Sequence, residues 1–149
     1  MKFQKIKLTL VRAVLLAVAA LGATVSSASS AEVVVVVSAK STVSSLTAAQ
    51  TAKIFLGKTN TFPDGGNAVP LDQAEGTEIK NEFYTKVTGK DTARLKAYWS
   101  KIIFTGDGNP PKIVPGNAGI KKAVANDPNA IGYIDRSAVD DSIKVLLAP

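Results

Sequence analysis

Val33-Val34-Val35-Val36-Val37 is the stretch that decides the fold class. An unbroken run of five β-branched residues has no polar face to turn to water. It predicts a strand buried on both sides, as at the centre of an α/β sheet. Working outward, residues 38–45 are polar, and 46–55 read as a helix. Thr47 and Gln50 have the spacing of a capping box, and Gly57 ends the helix. Residues 58–67 hold Pro63-Asp64-Gly65-Gly66, which is turn chemistry, and 68–71 form a short strand. Thr77 stands at the N-cap of a helix whose Ile79, Phe83 and Val87 share one face, closed by Gly89. Asp91 caps the next helix, where Leu95, Tyr98, Trp99, Ile102 and Ile103 form an apolar stripe. Residues 106–116 are a Gly/Pro loop with room for a short strand at Ile113-Val114. Asn117 is placed to cap a helix over 118–126, with Ile120 and Val124 facing inward. Two strands, 130–134 and 143–147, complete the chain. This order predicts one three-layer α/β lobe with a mixed sheet.

On the N-terminal side of the valine run lies an export signal. Lys2, Lys5, Lys7 and Arg12 precede the apolar stretch 13–21, and small residues follow from Ser26 to Ala31. Ser29 and Ala31 suit the −3 and −1 positions of signal peptidase, so residues 1–31 read as a cleavable signal and 32–149 as the mature domain. The apolar run is shorter than the roughly 20 residues a membrane span needs. With no cysteine at the cut, the expected product is soluble and periplasmic, neither a lipoprotein nor a membrane-spanning protein.

The signal also carries much of the charge. The whole chain has 18 Lys and Arg against 12 Asp and Glu, a net +6. Four of those cations and none of the acids precede residue 32, which leaves 14 against 12, or +2. The high isoelectric point of the precursor is therefore no sign of nucleic-acid binding. The chain has no cysteine and no histidine. Disulfides, Ser-His-Asp and Cys-His catalysis, and most zinc or redox-metal sites are excluded with them. No cofactor and no catalytic pair is expected. Glu75, Glu78 and Glu82 read as solvated acids that complement a helix dipole.

Four segments in this order carry a family resemblance: 46–58, ending in Ile54-Phe55-Leu56-Gly57-Lys58; 75–83, with Gly76-Thr77 opening a helix that leads to Phe83; Tyr98-Trp99 with Phe104-Thr105-Gly106; and 129–134, containing Ala130-Ile131-Gly132-Tyr133. Together they resemble the substrate-binding protein of the phosphate ABC transporter, and most of all its short, single-domain relatives. The resemblance implies the type II periplasmic-binding-protein fold, with length here for about one lobe. It implies a non-catalytic solute-binding protein for inorganic phosphate or a similar oxyanion, serving an ABC permease.

In that family an Arg followed by Asp-Gly-Ser-Gly-Thr binds the anion, and the matching stretch here is 71–77. Gly76 and Thr77 match, whereas Leu71 or Asp72 stands in place of the Arg and Glu75 in place of the Ser. The candidate ligand-binding residues are Gly76 and Thr77, with Ser44, Ser45 and Asn117 on the same sheet edge. A helix N-terminus has the free N–H groups and dipole that an oxyanion needs. Without the Arg, the charge has to come from Arg94, Arg136 or a lysine. A single lobe also admits another expectation: an envelope-associated or protein-binding domain that has lost anion binding, able to form a homodimer through its open face.

Overall fold

The computed structural model describes residues 31–149. The predicted export signal, residues 1–31, lies outside the described residues apart from Ala31. Five strands form one sheet: β1 (Val33–Ser38), β2 (Val69–Asp72), β3 (Lys112–Ile113), β4 (Ala130–Asp135) and β5 (Ile143–Leu147). Their spatial order is β3-β2-β4-β1-β5. The sheet is mixed, because β2 runs parallel to β3 and β4 while β1 runs antiparallel to β4 and β5.

The helices are α1 (Ala48–Phe55), α2 (Glu78–Thr88), α3 (Thr92–Thr105) and α4 (Asn117–Asn126). The valine run is β1, and all five valines are fully buried. Side chains alternate across a strand, so the run divides between two cores. Val33, Val35 and Val37 pack beneath α1, α2 and α3 with Phe55, Phe83 and Tyr133. Val34 and Val36 pack beneath α4 with Ile120 and Val124. The result is the three-layer α/β lobe with a mixed sheet. Each buried valine contributes about 1.5 kcal/mol or more.

Close approach of α4 to the sheet depends on Gly132 in β4. A Cβ at that position would lie 2.6 Å from Ile120 Cγ2. Among the described residues no helix is long and apolar enough to cross a membrane.

The capping box of α1 is formed. Thr47 Oγ1 accepts from Gln50 N at 3.1 Å, and Gln50 Oε1 accepts from Thr47 N at 2.9 Å. Thr47→Ala is expected to lower stability by about 1 kcal/mol. An unchanged urea midpoint would show that water serves these amides equally well.

Several boundaries differ from the sequence expectation. α1 begins at Ala48, because Leu46 is buried and its N–H is tied to Leu146 O at 3.4 Å beside β5. Asn117 does not cap α4. It is the first helical residue, Gly116 is the N-cap with φ 84°, and the Asn117 side chain is engaged elsewhere. β2 and β3 are each displaced by one residue from 68–71 and 113–114. On α3, Leu95 and Trp99 are buried, but Ile103 is 53% exposed and Phe104 is 92% exposed. The apolar stripe therefore continues past the core it packs against.

Candidate functional site

The parallel strands β2 and β4 end side by side, and their ends carry a buried polar cluster. In β2, alternation sends Leu71 toward α4 and Asp72 toward α2. Asp72 is 2% exposed. It accepts hydrogen bonds from Tyr84 Oη at 3.0 Å, from the Tyr133 hydroxyl, and from Gln73 N at 2.9 Å. Lys80 Nζ lies 3.1 Å from Asp72 Oδ2, the oxygen that also accepts from Tyr84. Lys80 and Tyr84 meet Asp72 together because they are four residues apart on one face of α2. Burial, then the adjacent negative Asp72, push both tyrosine hydroxyls far above their usual range. Both phenols remain protonated donors.

Gln73, also buried, ties this cluster to α4. Its Nε2 donates to Asn117 Oδ1 at 3.1 Å and to Tyr133 O at 3.2 Å. Its Oε1 accepts from Gly116 N at 3.1 Å. Asn117 Oδ1 also accepts from Asp135 N at 3.3 Å. Among the described residues no buried side-chain polar atom lacks a partner. Phe83 stacks on Tyr133 at a centroid distance of 3.9 Å and packs the cluster from the core side.

Above the cluster the chain turns at Gly76, whose φ of 76° favours glycine, and enters α2. Thr77 holds the N-cap position without capping. Its hydroxyl donates to Ala74 O at 2.8 Å, and no N-cap side chain satisfies the first-turn amides. The expected cap contribution is therefore absent, and the helix end is left for another acceptor. Lys80 points to this end, where Glu75 Oε1 reaches its Nζ at 2.5 Å. The Glu75 side chain is 71% exposed, the Lys80 side chain only 8%. One ammonium thus faces two carboxylates. The notch between Thr77, Lys80, Asn81 and Thr92 measures about 10 Å³, room for a single water. It opens beside a groove of about 530 Å³ lined by Leu95, Trp99, Ile103 and Pro110.

Of the residues singled out in the sequence, Gly76, Thr77 and Asn117 share this end of the sheet, linked through Gln73. Ser44 and Ser45 are exposed beside β5, with β4 and β1 between them and β2. Arg94 lies near Asp91, and Arg136 pairs with Glu32 at 2.9 Å, so the cation at the α2 end is Lys80. Asp72, Gln73, Tyr84 and Tyr133 complete the cluster, and none of them stands out in the sequence as a site residue. The available signal was a polar pair directly after a strand, followed by a Lys and a Tyr one helical turn apart.

No family model and no curated protein sequence matches this chain. Its fold, by contrast, recurs in solved structures of phosphate-transport receptors. One, from Clostridium perfringens, is described as a phosphate ABC transporter substrate-binding protein with bound phosphate. It has a TM-score of 0.61 and 24% identity over 77% of this chain and 44% of that one. An ABC-type phosphate transport receptor from Vibrio cholerae also scores 0.61, with 18% identity over 77% of this chain and 45% of that one. PstS from Borrelia burgdorferi scores 0.55, with 14% identity over 77% and 46%.

The class defined by this architecture is a periplasmic-binding-protein-like α/β lobe. The particular proteins it is similar to are phosphate ABC transporter substrate-binding proteins, and the chain spans less than half the length of each. The sequence resemblance and the structural likeness agree at the level of the fold.

Proposed function

We propose that the protein is an exported, periplasmic, non-catalytic solute-binding domain of the phosphate-transporter type. Its ligand-facing surface is the end of the sheet where α2 begins, and its ligand is inorganic phosphate or a similar oxyanion, passed on to an ABC permease. The observation that carries this reading is the uncapped start of α2 at Gly76-Thr77, beside Lys80, in a fold shared with a phosphate-bound protein. First-turn amides and the helix dipole favour an anion there, and the Lys80 ammonium, shared with Asp72, adds a charged donor. Its four cations, apolar stretch and small-residue cut support export of the chain.

Binding requires Glu75 to leave Lys80. Its exposure lets it swing into solvent, and the departure enlarges a notch that otherwise has room for a single water. Glu75 is therefore an internal competitor, and wild-type affinity for phosphate is expected in the millimolar range. Glu75→Gln should tighten phosphate binding about tenfold, since a unit charge about 4 Å away is worth about 1 kcal/mol or more. Isothermal titration with phosphate and sulfate measures both. Absence of heat for the wild type and the variant alike would rule out the oxyanion reading.

A second reading is favoured by the same charge count. Asp72 and Glu75 already over-compensate Lys80, so the end of the sheet carries net negative charge. On this reading the lobe has lost anion binding and acts as an envelope-associated or protein-binding domain. It predicts silence in both titrations.

A further inference from the structure

We propose that the outer face of α3 docks onto an anionic phospholipid bilayer. Ala93, Ala97, Ser100 and Phe104 are spaced i, i+4, i+7 and i+11, which places them in one stripe along the helix. All four are exposed, and Phe104 stands 92% clear of the protein. Arg94 and Lys101, seven residues apart, flank the stripe on one side. Lys96 and Ile103, also seven apart, flank it on the other. No acidic residue occurs between Thr92 and Thr105.

Charge complementarity selects the occupant. Residues 92–105 carry three cations and no acid, a net +3, whereas the other described residues carry 11 cations against 12 acids. The positive charge is thus concentrated on the face that also exposes Ile103 and Phe104. Arg94 approaches Asp91 only at 4.0 Å. Among the described residues Lys96, Lys101 and Lys112 make no ion pair. Asp107 accepts from Thr105 Oγ1 at 2.6 Å past the end of the helix, off the stripe.

A stripe of small residues lets the helix lie flat on a surface. Lysines on both sides reach headgroups with their ammonium ends while their stems stay against apolar material. A projecting phenylalanine with no cavity built around it fits a fluid acyl boundary, which requires no preformed pocket. A protein partner would have to supply one. Binding is expected to be weak and reversible, and to weaken as salt screens the lysines.

The test is co-sedimentation of residues 31–149, a compact unit holding both cores, with two kinds of vesicle. One contains phosphatidylglycerol mixed into phosphatidylcholine; the other is phosphatidylcholine alone. The wild type should pellet with the first and not with the second. Phe104→Asp should reduce the bound fraction at least tenfold, with an unchanged urea midpoint because the side chain lies outside the core. Lys96→Glu with Lys101→Glu should do the same and abolish the salt dependence, providing a readout independent of Phe104. Failure of the wild type to pellet would overturn the proposal, as would binding unchanged in both variants. A dimer in sedimentation velocity that Phe104→Asp dissolves, without vesicle binding, would assign the face to a second copy instead. Phosphate enters none of these measurements, so this proposal and the oxyanion reading stand or fall separately.

Discussion

Asp72→Ala is expected to lower the stability of the domain by about 4 kcal/mol, the largest effect of any single change at the sheet end. Asp72 receives two tyrosine hydroxyls, one backbone amide and the Lys80 ammonium within a site almost closed to water. Its removal leaves a buried positive charge whose remaining partner, Glu75, is mostly in solvent. Breaking one side of a buried ion pair typically costs about 3–5 kcal/mol, and orphaned hydroxyls add to it. Natural domains have only about 5–15 kcal/mol in total, so the variant should unfold at a much lower urea concentration. Removing both charges is a different matter. Asp72→Leu combined with Lys80→Met should be more stable than Asp72→Ala by about 2 kcal/mol, because no charge is stranded. A loss below about 1 kcal/mol for Asp72→Ala would show that water enters the cluster and that its burial is not what holds it.

Gly132→Ala is expected to cost about 2–3 kcal/mol. The new methyl would stand 2.6 Å from Ile120 Cγ2 and 3.4 Å from Val124 Cγ2. Both neighbours are fully buried on α4, and a packed interior yields little. The obstructing atom is the Cγ2 branch of isoleucine, which leucine lacks. In an Ile120→Leu background the penalty of Gly132→Ala should therefore shrink by at least about 1 kcal/mol, read as the coupling term of a double-mutant cycle. Strict additivity would place the strain in the β4 backbone and not against α4.

What could be read from the residues depended on the range of the interaction. The α1 capping box lies within four residues, and both of its bonds form. The αL glycine closing α2, Gly89, is equally local. Asn117 went astray because its partners are Gln73, 44 positions back, and Asp135, 18 ahead. Thr77 occupies the cap position as expected, but its hydroxyl finds Ala74 O instead of an α2 amide. Ile103 fits the helical period of the α3 stripe and yet stays half exposed, because periodicity does not say where the facing core ends.

The candidate site divides along the same line. Gly76 and Thr77 were legible as a glycine turn before a helix. Asp72 was visible only as a departure from the family pattern. Its burial comes from Tyr133, 61 residues away, and from Tyr84 on a helix that begins six positions later. Glu75 read as a solvated acid near a dipole, and it is exposed. Its reach to Lys80 follows from the turn at Gly76, which folds residue 75 back over the first turn of α2.

By itself, then, the amino-acid order determined which segments are strands and helices, and that Val33–Val37 would be buried on both faces. Side-chain alternation and helical period are set by the backbone geometry of a few consecutive residues, so they are written locally. Only the tertiary structure decided that β1 lies between β4 and β5, antiparallel to both. It also decided that the ends of β2 and β4 would bring together an aspartate, a lysine and two tyrosines. Those outcomes are pairings between distant segments, chosen by which faces can be buried together, and no local pattern records them.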